Sequence, residues 1–381
     1  MKILILSANT GEGHNSAARA IQEALLARGA ECVIHDGLSF MSAATRKLIC
    51  EGHVFMYRRL PKVYGVGYRF SEIYARQQRY QRQLNRESAR RHLPRRERDL
   101  RRYLESGGFD AIICVHVFAA RFVSELRKHG DIFLPAYFLA TDYTCSPGVN
   151  QLDMDAWFIP HAQLIDEFAA FGIPREKLIP TGIPIRRDFM QRGDKAAARR
   201  ALGLPADKKI ALVSCGSMGA GSMGAMVVDM METLPPNALL VAVCGSNQAL
   251  QRSLTAQVHS KQLYVLGYTQ RMGDYLDACD LFITKPGGLS TTEAVHKRVP
   301  LMLIDTAPGC ETRNLKFLTG LGCALSAPNA AALAERVRSA LASEDTLSAL
   351  SESCARQFTE NAAERICDTV LDVYMAERTS I

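Results

Sequence analysis

The sequence predicts an α/β protein built from two doubly wound parallel-sheet domains. Three observations carry this. Short apolar runs rich in Val, Ile and Leu recur along the 381 residues without polar alternation, as strands buried on both faces do. Each run is followed by a helical pattern, and strand–helix alternation over a whole chain implies parallel sheets with helical crossovers. The pattern breaks near 183–208, a polar stretch carrying Pro184, Gly193, Gly203 and Pro205, where a domain boundary belongs. A chain of this length fits two or three domains at roughly 100–200 residues each.

In order, the first-half strands are expected at 2–8, 31–36, 110–116, 134–142, 156–160 and 178–182. Those of the second half are expected at 209–216, 238–245, 262–268, 280–288, 299–305 and 322–328. Between them, helices such as 16–29 and 290–298 follow, the first stopping at Gly29. The expected domains are 1–190 and 191–360, with 361–381 a terminal helix placed to pack back on the first. In open sheets of this class ligands sit outside the carboxyl ends of the strands. Two such domains suggest an interdomain cleft, and the loops after strands are where chemistry is to be sought.

Composition narrows the class. Hydrophobic residues make up 48% and charged residues 22% of the chain, which excludes disordered and fibrous proteins. No run approaches the ~18 apolar residues of a membrane span, and MKILILSA reads as a first strand rather than a signal peptide. The eleven cysteines are odd in number, include no CxxC, and several fall in core strands. Free thiols in a reducing cytosol are expected, not a disulfide framework or a zinc site. No HExxH or close His/Cys/Asp cluster suggests a metal.

Four loops carry the candidate chemistry. After the first strand, Asn9-Thr10-Gly11-Glu12-Gly13-His14 leads into a helix. There His14 meets the positive end of the helix dipole, which disfavours imidazolium and suits a general base; a capping or packing histidine is the alternative. A dinucleotide GxGxxG would need glycine where Ser16 stands. After the seventh run, Gly216-Ser217-Met218-Gly219-Ala220-Gly221 can offer backbone N–H groups to an anion, or can be a plain glycine turn. The run Lys285-Pro286-Gly287-Gly288-Leu289-Ser290-Thr291-Thr292-Glu293 starts a helix whose terminus suits a diphosphate. In it Ser290 and Thr291 can donate hydroxyls, and Glu293 can accept from a ribose diol or simply favour the helix dipole. Finally, in Pro308-Gly309-Cys310-Glu311-Thr312-Arg313-Asn314, Glu311 and Asn314 share one helical face, able to grip vicinal sugar hydroxyls or to face solvent.

Together these motifs resemble the family-28 glycosyltransferases of GT-B fold, above all the bacterial processive diacylglycerol β-glucosyltransferases and the plant monogalactosyldiacylglycerol (MGDG) synthases; MurG-type transferases are more distant. The resemblance runs through nearly the whole chain, on GEGHNSAARAIQEAL, DLFITKPGGLSTTEA and PGCETRN. It implies His14, beside Gly13, as the base for the acceptor hydroxyl. Ser217, Met218 and Gly219 fall in a second phosphate-facing loop, and Gly287, Gly288 and Leu289 face the diphosphate, with Ser290 alongside. Glu293 is implied at the ribose, Glu311 and Asn314 at the donor sugar, and Tyr268 and Met272 around uracil. Cys310 stands where the family has Gln, and Thr312-Arg313 are atypical neighbours. The implied reaction is metal-free and inverting, with no cofactor, a UDP-hexose (glucose or galactose) being a substrate. An α-linked donor would give a β-glycosyldiacylglycerol.

One block makes the chain basic. Residues 57–104 hold 15 Lys or Arg against four acids, in a chain whose net charge is +7. On a helical wheel Phe70, Ile73, Tyr74 and Tyr80 fall at about 20–140°, and Arg76, Arg79, Arg82 and Arg86 at about 220–340°. An aromatic arc beside an arginine arc suits a helix lying on an anionic membrane. A core-facing helix with a solvated arginine face is the bland alternative, and no nucleic-acid module matches. The expected protein is a cytoplasmic enzyme held peripherally at the inner face of the membrane. Rival readings are a MurG-like transferase of GlcNAc onto a polyprenyl-linked acceptor, a noncatalytic UDP-sugar or lipid binder, and an epimerase on the same fold.

Overall fold

The computed structural model describes residues 1–9, 12–47, 95–216, 223–304 and 309–379. The chain divides into two compact units, one of residues 1–186, 308–310 and 360–381, the other of 187–307 and 311–359.

The first unit is organised on a six-stranded parallel sheet of β1 (Lys2–Ser7), β2 (Glu31–Asp36), β3 (Ala111–Cys114), β4 (Ala136–Leu139), β5 (Ala156–Ile159) and β6 (Leu178–Pro180). Its spatial order is β2-β1-β3-β4-β5-β6. Burial explains the unalternating apolar runs: all four residues of β3, β4 and β5 are buried. Helix α1 (Glu12–Ala27) presents Ala17, Ala18, Ile21 and Leu25 to the core. It begins earlier than its apolar periodicity suggests, so Gly13 and His14 lie within its first turn, where the acidic Glu12 favours the helix dipole. It closes at Gly29, whose φ of +75° is left-handed and costs an L side chain about 1–2 kcal/mol.

Helix α2 (Arg95–Gly107) buries Glu97, Leu100 and Leu104, one side of the helix at i, i+3 and i+7. Helices α3 (Val117–Lys128) and α4 (Ile165–Ala170) lie in the β3–β4 and β5–β6 crossovers, whereas β4 and β5 are joined through a short 3-10 turn at Val149–Gln151. The last helix of the chain, numbered α13 below (Ala362–Thr379), packs on α1. It buries Ile366, Cys367 and Val370, and Asp368 accepts Arg28 at 2.9 Å.

The second unit repeats the plan with β7 (Lys209–Ser214), β8 (Ala238–Val243), β9 (Leu263–Leu266), β10 (Leu281–Thr284), β11 (Leu301–Ile304) and β12 (Ala324–Ala327). Their order is β12-β11-β10-β7-β8-β9. Its helices are α5 (Lys195–Leu202), α6 (Met223–Thr233), α7 (Gln248–Gln257), α8 (Met272–Ala278), α9 (Gly288–His296), α10 (Cys310–Gly320), α11 (Ala330–Ala342) and α12 (Glu344–Gln357). On one face of this sheet a core of Val213, Met226, Val227, Leu240, Ile283, Leu333 and Val337 is closed to solvent. A buried carboxylate ties α5 to the sheet: Asp280 accepts Arg199 at 2.8 Å, Lys195 at 2.5 Å and the Ile210 amide at 2.7 Å. Removing one partner of such a set typically costs about 3–5 kcal/mol.

Each sheet reverses its winding once, between β1 and β3 in the first unit and between β7 and β10 in the second. The carboxyl ends of strands at such a switch point form the crevice in which open α/β sheets bind ligands. His14 stands beside the first of these points. Gly216 and Lys285 to Gly288 stand at the second.

Candidate active site

In the first unit, parallel registration sets Leu6 of β1 beside Cys114 of β3, so the loops leaving both strands share one edge. His14 reaches across this edge. Its Nδ1 lies 2.8 Å from the carbonyl oxygen of Val115 and 3.2 Å from Thr141 Oγ1. A carbonyl oxygen only accepts, so Nδ1 carries the proton in this contact and Nε2 of the neutral ring holds the lone pair. That is the tautomer a general base needs. The His116 ring meets His14 edge-to-face with centroids 4.6 Å apart. His116 is itself fixed by accepting the Phe118 amide at its Nδ1, 3.2 Å away, as the cap of α3.

The loop under His14 is held by amide hydrogen bonds. Ser7 donates to Asn15 at 2.7 Å, Asn15 to Asn9 at 2.8 Å, and Asn9 to Asp36 at 2.9 Å. Sequence reading singled out Gly13 and His14 but not Asn15, His116 or Thr141. The last two come from different loops, which only the sheet order brings together.

In the second unit, α9 starts at the carboxyl end of β10 with Gly287 as its cap. Gly287 has an ordinary extended φ of −77°, and a Cβ there would meet nothing within 4 Å. Neither the backbone conformation nor the packing of the described residues calls for glycine there. Gly288 and Leu289 are buried in the first turn. The Thr291 hydroxyl is buried and donates to Gly287 O at 2.8 Å, and Thr292 to Gly288 O at 2.6 Å. Thr291 thus braces the turn and does not offer its hydroxyl outward as the sequence suggested. Ser290 and Glu293 are partly exposed.

The next strand end leads into α10. Glu311 accepts Lys285 Nζ at 2.7 Å, with the carboxylate side chain 12% exposed. Asn314 is fully buried and its amide donates to Pro286 O at 2.9 Å. Glu311 and Asn314 accordingly brace α10 against the β10 loop. Lys285 stands in the quoted run, but the motif gives it no role of its own. Its partner lies 26 positions away in sequence, and pairing needs the β10–β11 adjacency. Burial pushes the nearby Cys215 thiol up to about 12, an effect that Lys285 opposes more weakly, so it stays protonated and is not a nucleophile. Tyr268 is 68% exposed after β9, and Met272 opens α8.

Ser217, Met218 and Gly219 lie outside the described residues. So do Phe70, Ile73, Tyr74, Arg76, Arg79, Tyr80, Arg82 and Arg86. Among the described residues no group of three His, Cys, Asp or Glu side chains is arranged for a metal ion. No described helix is long and apolar enough to cross a membrane.

Two six-stranded parallel sheets with flanking helices give this chain the GT-B fold. The solved structure of MurG from Acinetobacter baumannii aligns over 97% of this chain and 99% of its own, with a TM-score of 0.63 at 15% identity. HepE from Anabaena, solved in complex with UDP, aligns over 98% and 100%, with a TM-score of 0.59 at 12% identity. Residues 14–185 match the family model for monogalactosyldiacylglycerol (MGDG) synthase, and 210–366 match the glycosyltransferase family 28 C-terminal domain. The chain belongs to these family-28 glycosyltransferases. A processive diacylglycerol beta-glucosyltransferase from Staphylococcus saprophyticus is 31% identical over 252 residues, 66% of this chain and 64% of that protein. A protein of the same name from Bacillus cytotoxicus is 25% identical over 385 residues, 100% of this chain and 96% of its own length.

Proposed function

We propose that this protein transfers a hexose, glucose or galactose, from a UDP-sugar to diacylglycerol with inversion at the anomeric carbon. The reading is carried by similarity along the whole chain to relatives named as diacylglycerol beta-glucosyltransferases. UDP-bound structures of the same fold support a UDP donor.

In this reading the first unit handles the acceptor and the second the donor. His14 Nε2 takes the proton of the acceptor hydroxyl, while Val115 O holds the opposite nitrogen and so fixes ring and tautomer. A positioned base of this kind is worth about 10²–10⁴ in rate. The hydroxyl oxygen attacks the anomeric carbon in line, the bond to the diphosphate oxygen breaks, and an α-linked donor yields a β-glycoside. Backbone amides at the start of α9, at Gly287 to Leu289, face the negative charge developing on the leaving UDP. Glu293 holds the ribose, Tyr268 and Met272 frame the uracil, and Glu311 faces the hexose. No cofactor takes part. The basic, aromatic segment holds the enzyme peripherally at the cytoplasmic face of the membrane, where its lipid acceptor lies.

The test is a panel of UDP-glucose, UDP-galactose and UDP-GlcNAc against diacylglycerol and a polyprenyl-linked acceptor in anionic micelles, with and without EDTA. Release of UDP and β-glycosyldiacylglycerol from one UDP-hexose, unaffected by EDTA, is the expected result. Transfer of GlcNAc to the polyprenyl acceptor alone would replace this reading with a MurG-like one. UDP binding without turnover on any acceptor would make the protein a binder.

A further inference from the structure

Three strand-end loops of the second unit meet at one side chain to which the motifs give no role. Lys285 leaves the carboxyl end of β10 and donates through Nζ to Glu311 Oε1 at 2.7 Å, at the start of α10 after β11. Its stem crosses Gly216 after β7, where a Cβ would stand 3.3 Å from Lys285 Cε. Gly216 has a φ of +80°, so both conformation and space favour glycine under the lysine. The Lys285–Glu311 contact is part-buried, the two side chains being 30% and 12% exposed. One turn further along α10, Asn314 fixes the same two loops by donating to Pro286 O at 2.9 Å.

We propose that Lys285 is a positioning residue for the donor sugar: its ammonium fixes the Glu311 side chain, and the carboxylate so fixed sets the choice of hexose. This rests on the donor-site reading above and adds the residue that sharpens its selectivity. A carboxylate only accepts hydrogen bonds, and hexose epimers differ in the direction from which one hydroxyl donates. An acceptor discriminates between such directions only if it cannot turn to follow the hydroxyl. A glutamate alone has three rotatable side-chain bonds. An ammonium bound to one oxygen, inside a braced frame, takes that freedom away. The same contact draws the ammonium to the α10 end of the site, so affinity for UDP itself does not depend on it.

The experiment compares wild type, Lys285→Met, Lys285→Arg, Glu311→Gln and the double variant Lys285→Met with Glu311→Gln in the full chain. Affinities for UDP, UDP-glucose and UDP-galactose are measured by calorimetry, and turnover of both donors on diacylglycerol is measured alongside. Lys285→Met is expected to hold UDP affinity within about threefold while kcat/KM for the preferred donor falls about 10–100-fold, the worth of a charge-assisted hydrogen bond. The preference between the two donors collapses with it. Lys285→Arg restores most of that preference. Glu311→Gln shows the same collapse, and the double variant is no worse than the weaker single one, as for two residues acting as a unit. Equal loss of UDP and UDP-hexose affinity in Lys285→Met would make the lysine a phosphate ligand and overturn the proposal, as would an unchanged donor preference. Should Lys285→Met not fold, Glu311→Gln decides, because it removes charge and keeps shape. Wild type that binds no UDP overturns the donor-site reading and this proposal together. Wild type that binds UDP, with variants of unchanged donor preference, overturns this proposal alone.

Discussion

His14 shows what a single residue owes to its neighbours. Its type and place near a helix start were visible in the sequence. Its tautomer was not, because the carbonyl that fixes Nδ1 belongs to Val115, 101 positions on. Replacing His14 with Ala is expected to cut turnover about 10²–10⁴-fold while UDP affinity stays close to wild type, since His14 and the donor loops belong to different units. A near-wild-type rate would reduce His14 to a packing residue. On the donor side, Glu293→Ala should weaken UDP binding itself, whereas Glu311→Ala should spare UDP and lower turnover of UDP-hexose by about tenfold or more. Ribose is common to both ligands and the hexose is not. Competition of UDP against the donor measures both, and equal loss of UDP affinity would show the two loops to be wrongly assigned.

At the scale of the element, α9 joins the site to the core. Gly287 caps it, its first turn carries Gly288 to Ser290, and its last residue is His296, whose ring packs edge-on to Phe358 at 6.0 Å. Burial lowers the His296 pKa from 6.5 to about 4. Between those values the unfolded chain binds a proton that the folded chain refuses. Stability is therefore complete above about pH 6.5 and falls as pH drops toward 4, by on the order of 3 kcal/mol. Urea unfolding at pH 7 and pH 5 should show the wild type losing more than His296→Leu. Equal losses would mean that the ring is hydrated or already charged in the folded state. The C-terminus of α9 carries a second local feature. Arg298 adopts a left-handed φ of 55°, a turn normally given to glycine, and its carbonyl accepts Ser351 at 2.8 Å.

For the whole molecule the unbalanced charge is the property to explain, since residues 57–104 outweigh the net charge of the entire chain. Replacing Arg76, Arg79, Arg82 and Arg86 with Gln should release the protein from anionic vesicles and leave UDP affinity intact. Wild-type attachment should weaken as salt rises, because attraction to the surface is screened beyond ~8 Å at physiological ionic strength. It should be poor on neutral vesicles. Replacing Phe70, Ile73 and Tyr80 with Ser should weaken attachment by loss of apolar insertion, with less salt dependence. Vesicle co-sedimentation reads both. An arginine variant that sediments like wild type would move the membrane contact to another surface, and an aromatic variant that unfolds would place that arc in a core.

Most of the architecture was legible in the sequence, because a strand buried on both faces is apolar throughout and its connection to a parallel neighbour usually runs through a helix. All twelve expected strands are present within a few residues of their apolar runs. Glycine-rich turns after those strands marked the candidate loops for a similar reason: backbone can approach a ligand only where side chains are missing. Sheet order was not legible. Nothing local to β1 says that β3 rather than β2 lies on the side His14 crosses, or that β10 lies between β7 and β11. Order is settled by packing of whole elements, and with it every contact between residues distant in sequence. Val115, Thr141 and His116 gather around His14 by that route, and Lys285 meets Glu311 across Gly216. The sequence by itself determined which residue types stand at the ends of the strands; only the tertiary structure decided which of those ends are neighbours, because adjacency follows from burying entire sheet and helix faces rather than from any local pattern.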